Sequence, residues 1–274
     1  MLSLVKVSII SIINTYVYSM KRLSVIALLL ITQISCSQTI ENSDTSKTIE
    51  ISPEIQAYYS EHSGNDLPSI SKGTVSNGEL INGKLIPFKG PNYAYFSEES
   101  YLAGRAFLND KVLNTLLTSY SNLESNLPNK LFYVMECANA NGGKLAPHRT
   151  HQNGTSVDFM MPLLKDGKPY SGLDTLGVNH YLLGFANDGT YIDDKSISID
   201  FNLVAKHILE LQTEAELNGL KIKKVIINIE LKDNLFATEY GQILKNSDIY
   251  IVQKLSPIIN SLHDDHYHID FEVK

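Results

Sequence analysis

The 274-residue sequence contains two cysteines, no tryptophan and no long run of lysine and arginine. Its formal net charge of −7 and pI near 5.6 exclude the broad basic face by which most nucleic-acid-binding proteins are recognised. We therefore expect no nucleic acid among its partners. The composition, with 43% hydrophobic and 19% charged residues, is otherwise that of a globular protein, and the length allows one sizeable core.

A basic and apolar segment near the N-terminus predicts export. Met20 is followed by two basic residues, by an apolar run that reaches Ile31, and by small residues around Cys36. This is the order of regions in a secretory signal. The run is shorter than the ~20 apolar residues that a membrane-spanning helix needs. We interpret residues 1–37 as an export signal, with translation starting at Met20.

Two fates of Cys36 remain open after export. Cys36 resembles the lipid-carrying cysteine of a bacterial lipoprotein, and cleavage after Ser37 would instead release the chain. Both fates place the protein in the periplasm or cell envelope, with or without a lipid anchor to the membrane. Both also leave Cys137 without a partner for an intrachain disulfide, so we expect it to be a buried core residue.

Composition and spacing divide the rest of the chain into a tether and a domain. Residues 38–66 are polar and poor in large apolar side chains, which indicates a tether, and residues 67–274 form the domain. Helices are predicted at 111–120 and, after the capping residue Asp200, at 201–217. Strands are predicted at 130–136, after a turn within 153–163, at 223–231 and at 266–273. This order predicts a single α+β domain with a mainly antiparallel sheet, flanked by helices.

The last predicted strand, "HYHIDFEV", alternates between polar and apolar residues. Because successive side chains of a strand point to opposite faces, four polar residues share one face: His266, His268, Asp270 and Glu272. The other face carries the apolar residues Tyr267, Ile269, Phe271 and Val273. A solvated tail has no reason to alternate in this way. The two histidines on one face can therefore point at one site above the sheet.

A second cluster lies in "PHRTHQNGTSVDFMM", where His148 and His151 precede a turn and Asp158 follows on the next strand. The two clusters together hold five of the eight histidines: His148, His151, His263, His266 and His268. The scattered ones, His62, His180 and His207, are interpreted as structural or exposed. The spacing between His151 and Asp158 allows the turn to bring both to one point.

Catalytic zinc takes three protein ligands, typically histidine and carboxylate, and leaves one position for water. His151, Asp158 and one of the pair His266 and His268 supply such a set. The other histidine of the pair is then free to transfer a proton or to stabilise an oxyanion. Alternatively, each cluster is an independent surface feature. Two clusters on different predicted strands favour the zinc site, which we expect the sheet to carry.

The segments "HRTHQNGTSVD" and "HDDHYH", with a glycine pair upstream of the first, resemble the penicillin-insensitive murein endopeptidases. That family belongs to a clan of zinc peptidases that also includes lysostaphin-type enzymes, D-Ala-D-Ala metallopeptidases and the hedgehog signalling domain. The resemblance covers roughly residues 67–274. It implies three zinc ligands, which are His151, Asp158 and His268. It also implies that His266 is the catalytic base.

Two further histidines match the family pattern, one before each cluster's main residues. We place His148 in the metal group and His263 beside the catalytic His266. Either His263 or His266, when protonated, would help to stabilise an oxyanion. Asp264 and Asp265 either orient the flanking imidazoles or lie in solvent.

The resemblance implies that the protein uses Zn²⁺ to hydrolyse peptide cross-links in peptidoglycan, between D-alanine and the diamino acid of a neighbouring stem. Its partners would be cross-linked stem peptides. Two alternatives stay open: a D,D-carboxypeptidase or dipeptidase on the same scaffold, and a non-catalytic zinc-containing module that binds the cell wall. The extra histidine, His266, argues against the binding module, because retention of a metal needs no fourth group there.

Overall fold

The computed structural model describes residues 50–127 and 130–274. The predicted export signal, Cys36 and the part of the tether before residue 50 lie outside these ranges. No helix within them has the length and hydrophobicity that a membrane crossing requires.

The helices of the described residues are mostly short, and all but the fifth begin at a capping side chain. They are α1 (Pro53–His62), α2 (Glu98–Leu102), α3 (Asp110–Asn126), α4 (Phe201–Leu217), α5 (Lys232–Phe236), α6 (Glu239–Lys245) and α7 (Pro257–Ser261). Single 3-10 turns span Gly177–Leu182 and Ile229–Leu231. At the start of α4, the Asp200 carboxylate accepts a hydrogen bond from the backbone N–H of Leu203 (3.0 Å), which satisfies a donor that has no partner within the helix.

The strands of the described residues form one five-stranded sheet and three small ones. They are β1 (Ile70–Thr74), β2 (Asn77–Ile81), β3 (Lys84–Leu85), β4 (Tyr93–Tyr95), β5 (Phe107–Leu108), β6 (Phe132–Val134), β7 (Ser156–Met160), β8 (Leu163–Lys165), β9 (Lys168–Tyr170), β10 (Ile197–Ile199), β11 (Leu220–Ile226) and β12 (His266–Val273). The main sheet has the order β11-β12-β7-β6-β4. Its pairs are antiparallel except β4 with β6.

The apolar face of β12 packs on α4 through an aromatic cluster that contains a buried histidine. The ring of His207 lies 4.7 Å from that of Phe132 and 5.0 Å from that of Phe159. Tyr120 of α3 stacks on the His207 ring at 5.4 Å. The Nδ1 of His207 accepts a hydrogen bond from the Tyr267 hydroxyl (2.5 Å). These contacts hold the apolar face of β12 on the core and leave its polar face for the site.

The α+β class, the mainly antiparallel sheet and the helices flanking it are confirmed. Helix α4 and strand β12 have the predicted bounds, and the helix predicted at 111–120 lies within α3. Cys137 is buried, as expected.

Two predictions of local structure were wrong. The tether predicted for 38–66 contains α1, whose Ile55 is 1% exposed and belongs to the core. Tyr58 and Tyr59 also pack against the core, and Ser52 and Pro53 begin the helix favourably. The strand predicted at 223–231 runs instead from Leu220 to Ile226. Its end is set by Asn228, whose side chain caps the 3-10 turn that follows.

The buried His207 predicts a loss of stability in acid. Burial lowers its pKa from 6.5 to about 3, so the folded state keeps the imidazole neutral while the unfolded chain protonates it. The contribution is fully present above pH 6.5 and is lost as the pH falls from there towards 3. At pH 5 the loss is about 2 kcal/mol. We expect the free energy of unfolding of His207→Phe to drop correspondingly less between pH 7.5 and pH 5 than that of the wild type, as measured by urea unfolding of the metal-free proteins.

The substitution also removes the acceptor of the Tyr267 hydroxyl and so lowers the free energy of unfolding. This loss is the same at both pH values, and it therefore cancels when the two are compared. Equal drops in the wild type and in His207→Phe would contradict the assignment of the acid sensitivity to this histidine.

Candidate metal centre

The pairing of β7 with β12 places the polar residues of the two strands opposite one another. In this register Asp158 faces His268, and Ser156 faces Asp270. Residues directly opposite on one face of an antiparallel pair lie close enough for their side chains to touch. The strand pairing therefore brings together two residues that are far apart in the sequence. Both Asp158 and His268 are almost fully buried, at 1% and 2% exposed.

His151 reaches the same place from the loop before β7. Its backbone has a φ of +67°, in the left-handed region that residues other than glycine seldom adopt. The loop is held by the backbone N–H of Gln152, which donates to the carbonyl of Val75 (2.9 Å), and by that of Gly143, which donates to the carbonyl of Gln152 (2.8 Å). A strained, fully buried histidine of this kind is often found at functional sites.

Three side chains converge on a point that can hold a metal ion. The ligand atoms of His148, His151 and Asp158 lie within 4.8 Å of one another. Both ring nitrogens of His151 and the Oδ2 of Asp158 are buried and have no hydrogen-bond partner among the described residues. Buried polar atoms are rarely left unpaired in this way. Imidazole and carboxylate are ligands that suit zinc, so these residues fit a metal of that kind.

The electrostatics of the group also favour a cation. Burial by itself would raise the pKa of Asp158, but the neighbouring imidazoles of His151 and His268 hold it well below its ordinary value. Asp158 is therefore an ionised carboxylate in a site that excludes water. Burial, the largest cause, lowers the pKa of His148 to about 3, so this ring is neutral near pH 7 and its nitrogen is available as a ligand.

His268 lies beside this group, with each ring nitrogen facing a carboxylate. Its Nδ1 is 2.7 Å from Asp158 Oδ1, and its Nε2 is 2.7 Å from Asp270 Oδ1. The ring centroid lies 4.8 Å from that of His151. Nδ1 is thus the nitrogen that faces His151 and Asp158, and Nε2 is bonded to the Asp270 carboxylate on the opposite side of the ring. Strand alternation in the sequence predicts Asp270 on this face but indicates no role for it.

Asp270 is held by three partners. Besides its contact with His268, the Asp270 carboxylate accepts a hydrogen bond from the Ser156 hydroxyl (2.6 Å). It also forms an ion pair with the Lys224 ammonium, 3.0 Å away. Asp270 is 0% exposed. A carboxylate that accepts from the outer N–H of a metal-binding histidine fixes the ring orientation and raises its basicity. Lys224 lies on β11, and its contact with Asp270 follows from the pairing of β11 with β12.

His266 is on the same face but outside the metal group. Its Nδ1 donates to Asp265 Oδ1 (2.5 Å), which leaves Nε2 with a lone pair. Burial lowers the pKa of His266, but the Asp265 carboxylate outweighs it and the net shift is upward. The neighbouring Asp264 accepts from the backbone N–H of Phe185 (3.3 Å). Of the two alternatives left open for these aspartates, Asp265 takes the first, because it orients an imidazole. Asp264 is buried rather than solvated, and it contacts the backbone of a loop.

His263 lies next to His266, with ring centroids 4.9 Å apart. Its Nδ1 donates to the backbone carbonyl of Ile259 (2.7 Å). Burial, with the nearby His266, lowers its pKa to about 4. The ring is therefore neutral near pH 7, and its Nε2 is an acceptor.

The segment Gly177–Leu182, for which the sequence predicts no function, borders the site. His180 is fully buried, and its Nε2 donates to the backbone carbonyl of Asp265 (3.2 Å). The ring of Tyr181 lies 5.5 Å from that of His266. No local sequence signal points to these residues, because their position depends on a contact with the far end of the chain.

The sheet and its buried histidine–carboxylate group define a candidate metal centre of an α+β protein. The chain matches the penicillin-insensitive murein endopeptidase family over residues 71–273, which is most of its length, and it belongs to that family. No curated protein matches the chain. The family supports peptidase activity on peptidoglycan at the cell envelope.

Substitution of Asp270 tests the support behind His268. Asp270→Asn keeps the size of the side chain but removes the charge that makes the imidazole more basic. We expect the affinity for Zn²⁺ to fall about 10- to 100-fold, measured by competition with a chromogenic chelator. Glu272→Gln is the matched control, since Glu272 is on the same strand and, among the described residues, forms its ion pairs with the exposed Lys221 and Lys223. Equal affinities of the wild type and Asp270→Asn would contradict this role.

Proposed function

We propose that the protein is a zinc-dependent endopeptidase that hydrolyses D-alanyl–diamino acid cross-links in bacterial peptidoglycan. The observation that carries the proposal is the buried set of His151, Asp158 and His268, in which the ring nitrogens of His151 and the Oδ2 of Asp158 have no hydrogen-bond partner among the described residues. His266, backed by the Asp265 carboxylate, lies next to this set. Retention of a metal would not need His266. A proton-transfer group at that position supports turnover.

The metal would be held by His151, Asp158 and His268, with His148 as a further contact or close neighbour. When bound, zinc supplies a Lewis acid that polarises a carbonyl and makes water a stronger nucleophile at neutral pH. The left-handed backbone at His151 and the two carboxylates around His268 hold these side chains in place before any ligand enters. The site is thereby organised in advance, which lowers the cost of reaching the transition state.

His266 has the arrangement expected of a general base. Its Nδ1–H is directed at Asp265, so Nε2 can accept the proton of the attacking water as the water oxygen bonds to the carbonyl carbon. The same nitrogen then passes the proton to the leaving amine as the peptide C–N bond breaks. The upward shift of its pKa strengthens it as a proton acceptor.

A covalent acyl-enzyme is not part of this proposal. Cys137 is buried, and burial raises its pKa well above the ordinary thiol value, so it is not a nucleophile. Because no serine or cysteine is acylated, we expect β-lactams not to inhibit the reaction.

Export to the cell envelope completes the proposal. The signal at 1–37 would deliver the domain to the compartment that contains peptidoglycan, and a lipid on Cys36 would attach it to the membrane. The partners would be cross-linked stem peptides.

Cross-linked muropeptide dimers test the function directly. We expect the zinc-loaded protein to convert dimers to monomers, and a chelator to abolish the conversion. Loss of the terminal D-alanine with the cross-link intact would identify a D,D-carboxypeptidase instead. Stoichiometric zinc without turnover would favour the non-catalytic binding module.

Two kinds of variant separate metal binding from proton transfer. We expect His266→Ala to keep its zinc and lose about 10²- to 10⁴-fold in kcat, and Asp158→Ala to lose zinc, as measured by metal content after dialysis. His62→Ala is the control, because His62 lies on α1 and its Nδ1 donates to the Tyr58 carbonyl (2.9 Å). If His266→Ala loses zinc as readily as His268→Ala, the division of roles is wrong.

A further inference from the structure

Tyr181 carries a buried polar group that neither the fold nor the proposed roles explain. It lies in the 3-10 turn Gly177–Leu182. Its hydroxyl is buried and has no hydrogen-bond partner among the described residues. Buried tyrosine hydroxyls usually have a partner. A hydroxyl that lacks one in the free protein is a candidate for a contact with a ligand.

The turn is fixed to the site through the residue before Tyr181. The buried ring of His180 donates from Nε2 to the backbone carbonyl of Asp265. The side chain of Asp265 in turn accepts from His266 Nδ1. A single residue therefore anchors both the turn and the general base, and the position of Tyr181 relative to His266 is set by two short contacts.

The surroundings of the Tyr181 ring place it at the site. Its edge meets the ring of His266 at 5.5 Å with an interplanar angle of 89°. The ring of His148 lies 6.5 Å away, and that of Phe96 lies 5.7 Å away on the core side. Tyr181 thus contacts one histidine from each of the two clusters, and Phe96 supports it from behind.

The hydroxyl is a donor that stays protonated. Burial raises the pKa of Tyr181 well above 10, and the carboxylates of Asp158, Glu136 and Asp265 raise it further. A neutral phenol beside anionic groups keeps its proton throughout the neutral range, so it can donate a hydrogen bond to an oxygen that gains negative charge.

Neither His263 nor His266 itself supplies such a donor. The N–H of His263 is directed at the Ile259 carbonyl, and its Nε2 is an acceptor. The Nδ1–H of His266 is directed at Asp265, and its Nε2 has the role of base. The protonated His263 expected from the sequence is thus not the form that the structure favours, and the hydroxyl of Tyr181 is left for this task.

We propose that Tyr181 is a catalytic residue whose hydroxyl donates a hydrogen bond to the scissile carbonyl oxygen as it becomes an oxyanion. The inference rests on the proposed function of the site. As the water oxygen bonds to the carbonyl carbon, the carbonyl π electrons move to its oxygen, and His266 takes the water proton. Tyr181 keeps its own proton throughout, so nothing is consumed. The interaction strengthens only as charge develops, which is the condition for lowering the barrier.

Tyr181→Phe removes the hydroxyl and keeps the ring that packs on Phe96. With the zinc-loaded protein and cross-linked muropeptide dimers, we expect kcat to fall about 100-fold with KM changed less than about threefold. A phosphinic acid isostere of the D-alanyl–diamino acid junction carries a tetrahedral anion. We expect its Kd, measured by calorimetry, to rise about as much as kcat falls, while zinc affinity and Tm stay at the wild-type values.

Tyr191→Phe is the matched control, since the hydroxyl of Tyr191 donates to the exposed Asp193 (3.1 Å); we expect wild-type kcat and phosphinate affinity for it. Wild-type kcat and phosphinate affinity in Tyr181→Phe would overturn the role of Tyr181 and leave the proposed function standing. Lower zinc affinity in Tyr181→Phe would also overturn it, by indicating a structural role. A zinc-loaded wild type that neither cleaves the dimers nor binds the isostere would overturn both proposals.

Discussion

The register of β7 against β12 is the constraint on which the site depends. It places Asp158 opposite His268 and Ser156 opposite Asp270, and side chains on one strand face cannot be moved singly. A slip of one residue would turn all of them to the aromatic core and turn Phe159 and Tyr267 outward. The apolar contacts of those two rings with His207 therefore protect the register, and with it the geometry of the polar face.

Around this pair, each histidine has a different hydrogen-bond partner, which fixes which of its ring nitrogens faces the site. Asp270 accepts from the outer nitrogen of His268, so that Nδ1 faces Asp158. Asp265 accepts from Nδ1 of His266, so that Nε2 is free. The backbone carbonyl of Ile259 takes the N–H of His263. The different roles proposed for these similar imidazoles rest on these differences between their partners.

The parts of this arrangement that depend on local spacing could be predicted from the sequence. Strand alternation placed His266 and His268 on one face, and a capping aspartate with helical spacing gave the bounds of α4. The ligand set that catalytic zinc needs predicted the pairing of the two clusters, and the family resemblance implied which of His266 and His268 is the ligand. The helix at 53–62 was missed because a single buried isoleucine, Ile55, is a weak periodic signal. Asp270 and Tyr181 were missed because their partners lie on other elements, at distances in sequence that no local pattern encodes.

The central claim is that this register builds a metal centre from which His266 is excluded. Anomalous diffraction at the zinc edge, from crystals of the zinc-loaded protein, tests it most directly. We predict one strong peak bounded by His151, Asp158 and His268, with Asp270 still against the outer nitrogen of His268 and His266 turned towards Asp265. A peak elsewhere in the molecule, or one with His266 among its ligands, would contradict the account.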